Sequence, residues 1–180
     1  MNNDDELILR CRADSAAFRE LVERHQMRIY SFLIHLVGRQ EAEDLFQEVW
    51  VKVLKNADGY DPRGKAVSWF FKIANNLALD HLNKKKRGGD RVDIEDAALY
   101  LRDPAPCPQS ALDNDERRER LASALKNIPL EQRQIFLMRE YGEMSFKEIA
   151  QSLDIPIGTA LSRMNYALGK LRNSLEDYHA

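Results

Sequence analysis

Apolar residues recur at three- and four-residue spacing along almost the whole chain, and no run alternates strictly between apolar and polar. That pattern commits the chain to α-helices, and no Asn-Gly pair marks a hairpin. One stretch interrupts it. Residues 88–112 read GGDRVDIEDAALYLRDPAPCPQSAL, with a Gly-Gly pair, acidic residues and the proline cluster PAPCP. This composition reads as a flexible linker. Fully extended, its roughly 25 residues would reach about 80 Å at ~3.3 Å each. The expected architecture is all-α: two small helical domains, 1–87 and 113–180, joined by a flexible linker over 88–112.

In the first domain Asp14 and Ser15 are N-cap candidates. Phe18, Leu21, Val22, Ile29, Phe32, Leu33 and Leu36 follow at helical spacing, and Gly38 is a natural stop. A second helix is expected over 41–55, a turn-rich loop NADGYDPRGK over 56–65, and a third helix over 68–87. In the second domain an amphipathic helix over 113–127 sets Leu121, Ala124, Leu125 and Ile128 on one side and stops at Pro129. Another covers 130–141 and stops at Gly142. Ser145 to Glu148 spell a capping box that opens a short helix with Ile149, Ala150 and Leu153. A turn over 154–158 leads to a final helix over 158–175. That last pair is the helix-turn-helix layout, with Ala150 small enough for a close crossing.

Several function classes are excluded by what the sequence lacks. It has no P-loop, no metal-ligand cluster and no nucleophile–base arrangement. His25, His35, His81 and His179 are scattered, and each reads as a packing or surface residue. The expectation is no catalytic activity, no cofactor, no metal and no small-molecule substrate. Cys11 and Cys107 stand far apart without CxxC spacing, which fits reduced thiols in a cytoplasmic chain. The acidic start MNNDDELILRC lacks the basic and apolar regions of a secretory signal, and no apolar run is long enough for a membrane span.

Three helical faces carry the remaining signal. On the helix over 41–55, Ala42, Phe46, Val49, Trp50 and Val53 form a core side. Asp44, Gln47, Glu48 and Val51 form an acidic, partly apolar stripe opposite. Such a stripe repels phosphate and suits a basic protein partner; a plain solvated face is the alternative. On the helix over 68–87, Phe70, Ile73, Ala74, Leu77 and Ala78 face inward with Phe71 beside them, and Trp69, Lys72, Asn76, Asp80 and Asn83 face outward. An aromatic ring beside amides suits unpaired bases, and Lys84, Lys85, Lys86 and Arg87 would attract phosphates. Equally, Trp69 could be partly buried and the four cations a solvated helix end that suits the helix dipole. On the last helix, Ala160, Met164, Leu168, Leu171 and Leu175 face inward with Leu161 at the edge. Thr159, Ser162, Arg163, Tyr166, Lys170 and Asn173 face outward, where the N-terminal members would reach bases or phosphates.

EAEDLFQEVWVKV, SWFFKIANNLALDHLNKKKR and the final helix pair, in this order, resemble the extracytoplasmic-function (ECF, group IV) sigma factors of bacterial RNA polymerase. The resemblance covers nearly the whole chain. It implies a region-two domain over 1–87 and a region-four domain over 113–180, and a promoter-specificity subunit with no catalysis of its own. It implies that Asp44, Gln47, Glu48 and Val51 dock on the polymerase's coiled-coil clamp helices. The loop 59–65, with Tyr60 and Arg63, would capture a flipped-out base. Trp69, Lys72, Asn76 and Asp80 would open and hold the single-stranded −10 element, with Lys84, Lys85, Lys86 and Arg87 on its backbone. Ser145, Lys147, Thr159, Ser162, Arg163, Tyr166 and Lys170 would meet the duplex −35 element. Leu161 and Tyr166 depart from the family pattern, since basic residues are common there.

Core RNA polymerase, promoter DNA and an anti-sigma factor are the partners this implies, with no membrane insertion by the chain itself. An anti-sigma factor would cover the acidic stripe and the last helix and could hold the chain at the inner membrane face. A sigma-mimic decoy that binds an anti-sigma factor without initiating transcription, and a plain dimeric helix-turn-helix regulator, are the competing readings. Promoter opening separates the first from a sigma factor, and core-polymerase binding separates the second.

Overall fold

The computed structural model describes residues 3–87 and 121–176. The 88–112 segment expected to be a linker lies outside the described residues, as do Cys107 and His179. All regular structure among the described residues is helical, in two clusters.

The first cluster holds α1 (Asn3–Arg10), α2 (Ser15–Val37), α3 (Arg39–Asn56), a 3-10 turn (Ala57–Gly59) and α4 (Ala66–Arg87). α1 was not foreseen, since the first helix was expected at Asp14. It places three acids, Asp4, Asp5 and Glu6, in its first turn and Arg10 in its last, as the helix dipole favours. Asp14 caps α2 by accepting the Ala16 and Ala17 N–H groups at 2.9 and 3.3 Å. Gly38, at φ 98°, ends α2 by donating its N–H to Ile34 O at 3.0 Å, and its carbonyl opens α3. The core is aromatic. Phe32 and Phe71 meet edge to face at 5.2 Å between centroids, and Trp50 lies 5.9 Å from Phe70 and 6.1 Å from Phe46. Cys11 is buried there, and burial pushes its thiol up, away from reactivity.

The second cluster holds helical residues 121–126 (α5), α6 (Leu130–Glu140), α7 (Phe146–Leu153) and α8 (Ile157–Glu176). Both halves of the expected capping box form on α7: Glu148 N–H donates to Ser145 Oγ at 3.3 Å, and Ser145 N–H to Glu148 Oε2 at 2.8 Å. Asp154 ends α7 in the left-handed conformation at φ 53°. α8 then crosses α7 with Ala160 and Ala167 buried. Leu168, expected in the core, is 43% exposed, and Ala167 takes its place.

The two clusters touch each other. α6 packs against α2, and α7 against α4. The contact is polar, as interdomain contacts tend to be. Gln134 Nε2 donates to Asn75 Oδ1 at 2.7 Å, with both residues buried. Arg28 Nε donates to Tyr141 O at 2.6 Å, and the His35 and Tyr141 rings lie 5.5 Å apart. Burial pushes the Tyr141 phenol up to about 12 and holds the His35 imidazole low, hence neutral. Among the described residues no helix is long and apolar enough to cross a membrane.

Candidate functional site

α3 carries its charged stripe clear of the rest of the molecule. Asp44, Gln47, Glu48 and Val51 are all exposed, the last at 47%, while Ala42, Leu45, Val49, Trp50 and Val53 are buried on the other side. Neither the loop nor the second cluster covers this face.

α4 is different. Lys72, Asn76, Asp80, Asn83, Lys84, Lys86 and Arg87 are exposed, but Lys85 is half-buried and paired with Glu41 at 2.6 Å. Burial alone would push the Glu41 carboxyl up; the Lys85 bond and charge outweigh it and hold the carboxyl low. At the N-terminal end of α4, Ser68 Oγ donates to Glu148 Oε1 of α7 at 3.2 Å, and Lys65 Nζ to Gln151 Oε1 at 3.4 Å. A cleft of about 300 Å³ lies between them, lined by Tyr60, Lys65, Trp69, Lys72, Glu148 and Gln151. A second cleft, about 760 Å³, separates the middle of α4 from the second cluster, with Asn76, Asn83 and Lys86 facing Glu131, Asp154 and Arg163.

The loop between the 3-10 turn and α4 is fixed at its base and open at its tip. Tyr60 is buried and its hydroxyl donates to Asp5 Oδ1 at 2.5 Å. Burial raises its phenol pKa, and the Asp5 carboxylate adds to that. Asp61 and Arg63, both exposed, pair with each other at 2.6 Å.

On α8, Ser162, Tyr166 and Lys170 are exposed, Tyr166 at 67%. Thr159 is half-buried. Arg163 is half-buried too and pairs with Glu131 on α6. Lys147 on α7 is exposed, whereas the Ser145 side chain is committed to its cap.

Two family descriptions match this chain: sigma-70 region 2 over residues 21–88, and sigma-70 region 4 over residues 118–171. The ECF RNA polymerase sigma factor SigK of Mycobacterium bovis is 30% identical over 98% of this chain and 96% of its own length. The ECF sigma factor SigW of Bacillus subtilis is 28% identical over 92% of each chain. The chain is an ECF sigma factor. Like its family, it directs transcription initiation through core RNA polymerase and is not itself an enzyme. The solved structure of CnrH in complex with the cytosolic domain of CnrY shares the fold, with TM-score 0.70 at 20% identity over 98% of this chain and 99% of that one.

In this sigma factor some expected site residues are not freely exposed. Trp69 is not an exposed ring: it is half-buried, 4.8 Å from the Tyr60 ring and 5.6 Å from Phe70. Tyr60 is not offered to solvent, because its hydroxyl is spent on Asp5. Arg163 turns toward Glu131 rather than outward. Lys72, Asn76 and Arg163 line one cleft, so α4 and α8 approach each other here, while the α3 stripe faces elsewhere. Sequence reasoning missed Asp5, Asn75, Gln134 and Glu148 as partners. A helical wheel could have flagged Asn75 alone, since it falls beside Phe71 on the inner edge of α4.

Proposed function

We propose that this sigma factor docks on a basic helical surface of core polymerase through Asp44, Gln47, Glu48 and Val51. It then holds the single-stranded −10 element on α4 and reads the duplex −35 element with α8. The exposure of the whole α3 stripe carries the first part: an acidic, partly apolar surface left open on a nucleic-acid-binding chain fits a cationic protein partner. Lys72, Asn76 and Asp80 offer a cation and hydrogen-bonding groups to unpaired bases, Trp69 lends the edge of its ring, and Lys84, Lys86 and Arg87 meet the backbone. Ser162, Tyr166 and Lys170 are the outward groups of α8, with Lys147 beside them. Thr159 and Arg163 join them once Arg163 leaves Glu131.

Both promoter elements cannot be held in the closed arrangement. Elements about two duplex turns apart lie roughly 70 Å from each other, at ~34–36 Å per turn. Here Glu148 of α7 touches Ser68 of α4. The second unit therefore swings away from the first on the promoter, and the ~25 residues between them are long enough to allow it.

An anti-sigma factor that covers the α3 stripe and α8 is the regulator this reading expects, acting in the cytoplasm. Leu161, Leu168 and Tyr166 supply exposed apolar area on α8 for it. A fold relative, CnrH, was captured with the cytosolic domain of another protein, CnrY.

The test is genomic run-off transcription with the purified chain and core polymerase, with start sites mapped. Discrete starts that share two upstream elements are the expected result. Binding to core without initiation would point to a decoy, and no binding to core would overturn the docking surface.

A further inference from the structure

Asp5 is 1% exposed, and both of its carboxylate oxygens are occupied by one loop. Oδ1 accepts the Tyr60 hydroxyl at 2.5 Å, and Oδ2 accepts the Gly64 N–H at 2.7 Å. These donors bracket the Asp61–Arg63 tip. Gly64 sits at φ 70°, in the left-handed region, and a Cβ there would meet no atom within 4 Å. Backbone conformation, and not space, thus favours glycine at this position. The neighbouring carboxylate does a different job. Asp4 accepts from His25 Nε2 and Arg24 Nη1, each at 2.9 Å, and so ties α1 to α2. α1 is a bracket: one acid holds it to the bundle, and the next holds the loop. On its other side the Tyr60 ring rests on Trp69 of α4. The exposed tip residues have no such anchor of their own, so their position follows from the loop's base.

We propose that Asp5 is a positioning residue that fixes the loop 59–65 against α4 and thereby sets which base of the −10 element the loop accepts. This rests on the reading of that loop as a base-capture site. Charge-assisted bonds to a buried carboxylate are stronger and more directional than neutral ones, so they suit a device that holds shape. Replacing the carboxylate leaves the buried Tyr60 hydroxyl without its acceptor and frees the Gly64 N–H to water, and the loop relaxes. The tip then samples several positions, and discrimination between bases falls before affinity does.

The test is initiation by full-length chain and core polymerase on a promoter library randomised across the −10 element. Wild type is compared with Asp5→Ala, Asp5→Asn, Tyr60→Phe and the tip variant Asp61→Ala/Arg63→Ala. Asp5→Ala should flatten the preference at one −10 position by about tenfold, the size expected for losing a charge-assisted pair at a buried site. Preference in the −35 element and core affinity should be unchanged. Asp5→Asn, which keeps one acceptor, should restore part of the preference, and Tyr60→Phe should lose part of it. A uniform fall on every −10 sequence, with preference intact, would mean Asp5 serves folding alone and would overturn the proposal. If Asp5→Ala does not fold, Tyr60→Phe decides by the same criterion. A tip variant that leaves −10 preference unchanged overturns the base-capture reading and the proposal together. A tip variant that alters it, with Asp5→Ala and Tyr60→Phe silent, overturns the role of Asp5 alone.

Discussion

The α3 stripe and the outer face of α4 belong to one bundle and one aromatic core, yet one is open along its length and the other is only partly so: the N-terminal end and inner edge of α4 meet the second cluster, while Lys72, Asn76 and Asp80 stay exposed. Asp44, Gln47, Glu48 and Val51 face solvent along the whole stripe. On α4, Ser68 is bonded to α7, Asn75 is sealed beneath α6, and Trp69 is half-buried. The covering groups are of the kind a nucleic acid would bring. Glu148 presents a carboxylate near Lys65 and Ser68, where a phosphate could sit, and Gln134 presents an amide to Asn75, as a base would. On the proposed reading, a chain in this state meets polymerase with α3 while part of its α4 face stays occupied. On the proposed reading, polymerase comes first and the promoter strand second.

The largest test removes what the two faces share. Phe70 is fully buried, with Trp50, Trp69 and His25 rings around it. Phe70→Ala should cost about 3–5 kcal/mol, enough to lower the melting temperature of the first unit by roughly 15 °C or more. Core binding and promoter opening should fail together. If one survives, the faces do not depend on a common core.

Next is charge reversal on the open face. Asp44→Lys with Glu48→Lys should weaken core-polymerase binding by about 10- to 100-fold, mostly through complementarity lost at exposed charges. The melting temperature should hold, because neither side chain is buried. Equilibrium binding to core at two salt concentrations measures it, with wild type showing the steeper salt dependence. An unchanged affinity would make the stripe a solvated face after all.

How far the two faces were legible in the sequence differs in the same way. The α3 stripe could be read from one helix, because nothing outside α3 changes its exposure. α4 could not. A wheel marks Trp69 as outward, but Tyr60 arrives from the loop to pack on its ring, and α7, from about 80 residues on, bonds its neighbour Ser68 across the cleft that Trp69 lines. Tyr60 looked available for the same reason: its acceptor, Asp5, lies in an eight-residue helix that the periodicity did not mark. α8 shows a subtler failure. Steps of four drift by about 40° each at 3.6 residues per turn, so Leu168 falls off the stripe that Ala160 starts. The 4-3-4 spacing of Ala160, Met164, Ala167 and Leu171 stays on it, and those are the residues that are buried or half-buried.

A milder change acts on the cover itself. Gln134→Ala leaves Asn75 Oδ1 buried without a donor unless the units part and water reaches it. A buried unsatisfied amide costs about 1–3 kcal/mol, so the closed-to-open ratio should fall by roughly tenfold. Against a Trp50→Phe background, Trp69 emission should shift to the red as α7 leaves α4. Affinity for core, proposed to use α3, should not fall. A Trp69 spectrum that stays unchanged would place the closing energy elsewhere, with Arg28 on the Tyr141 carbonyl as the next candidate.

The smallest expected effect is a pH dependence confined to the covered face. The Ser145 hydroxyl, first, then the Ser145 N–H, Ser68 and the charge of Lys65 hold the Glu148 carboxyl below its ordinary range, against the upward push of burial. A carboxyl with a lowered folded-state pKa stabilises the fold above its unfolded value, and that contribution is lost as pH falls through the folded one. The closed contact and the α7 cap should therefore loosen together below about pH 4, the ordinary glutamate range. Glu148→Gln should remove the pH-dependent part while keeping an acceptor oxygen near Ser68. Trp69 emission followed from pH 6 to pH 3, in wild type and Glu148→Gln, separates the two. A red shift present in wild type and absent in the variant assigns the acid sensitivity to Glu148. The same shift in both would place the acid sensitivity outside Glu148.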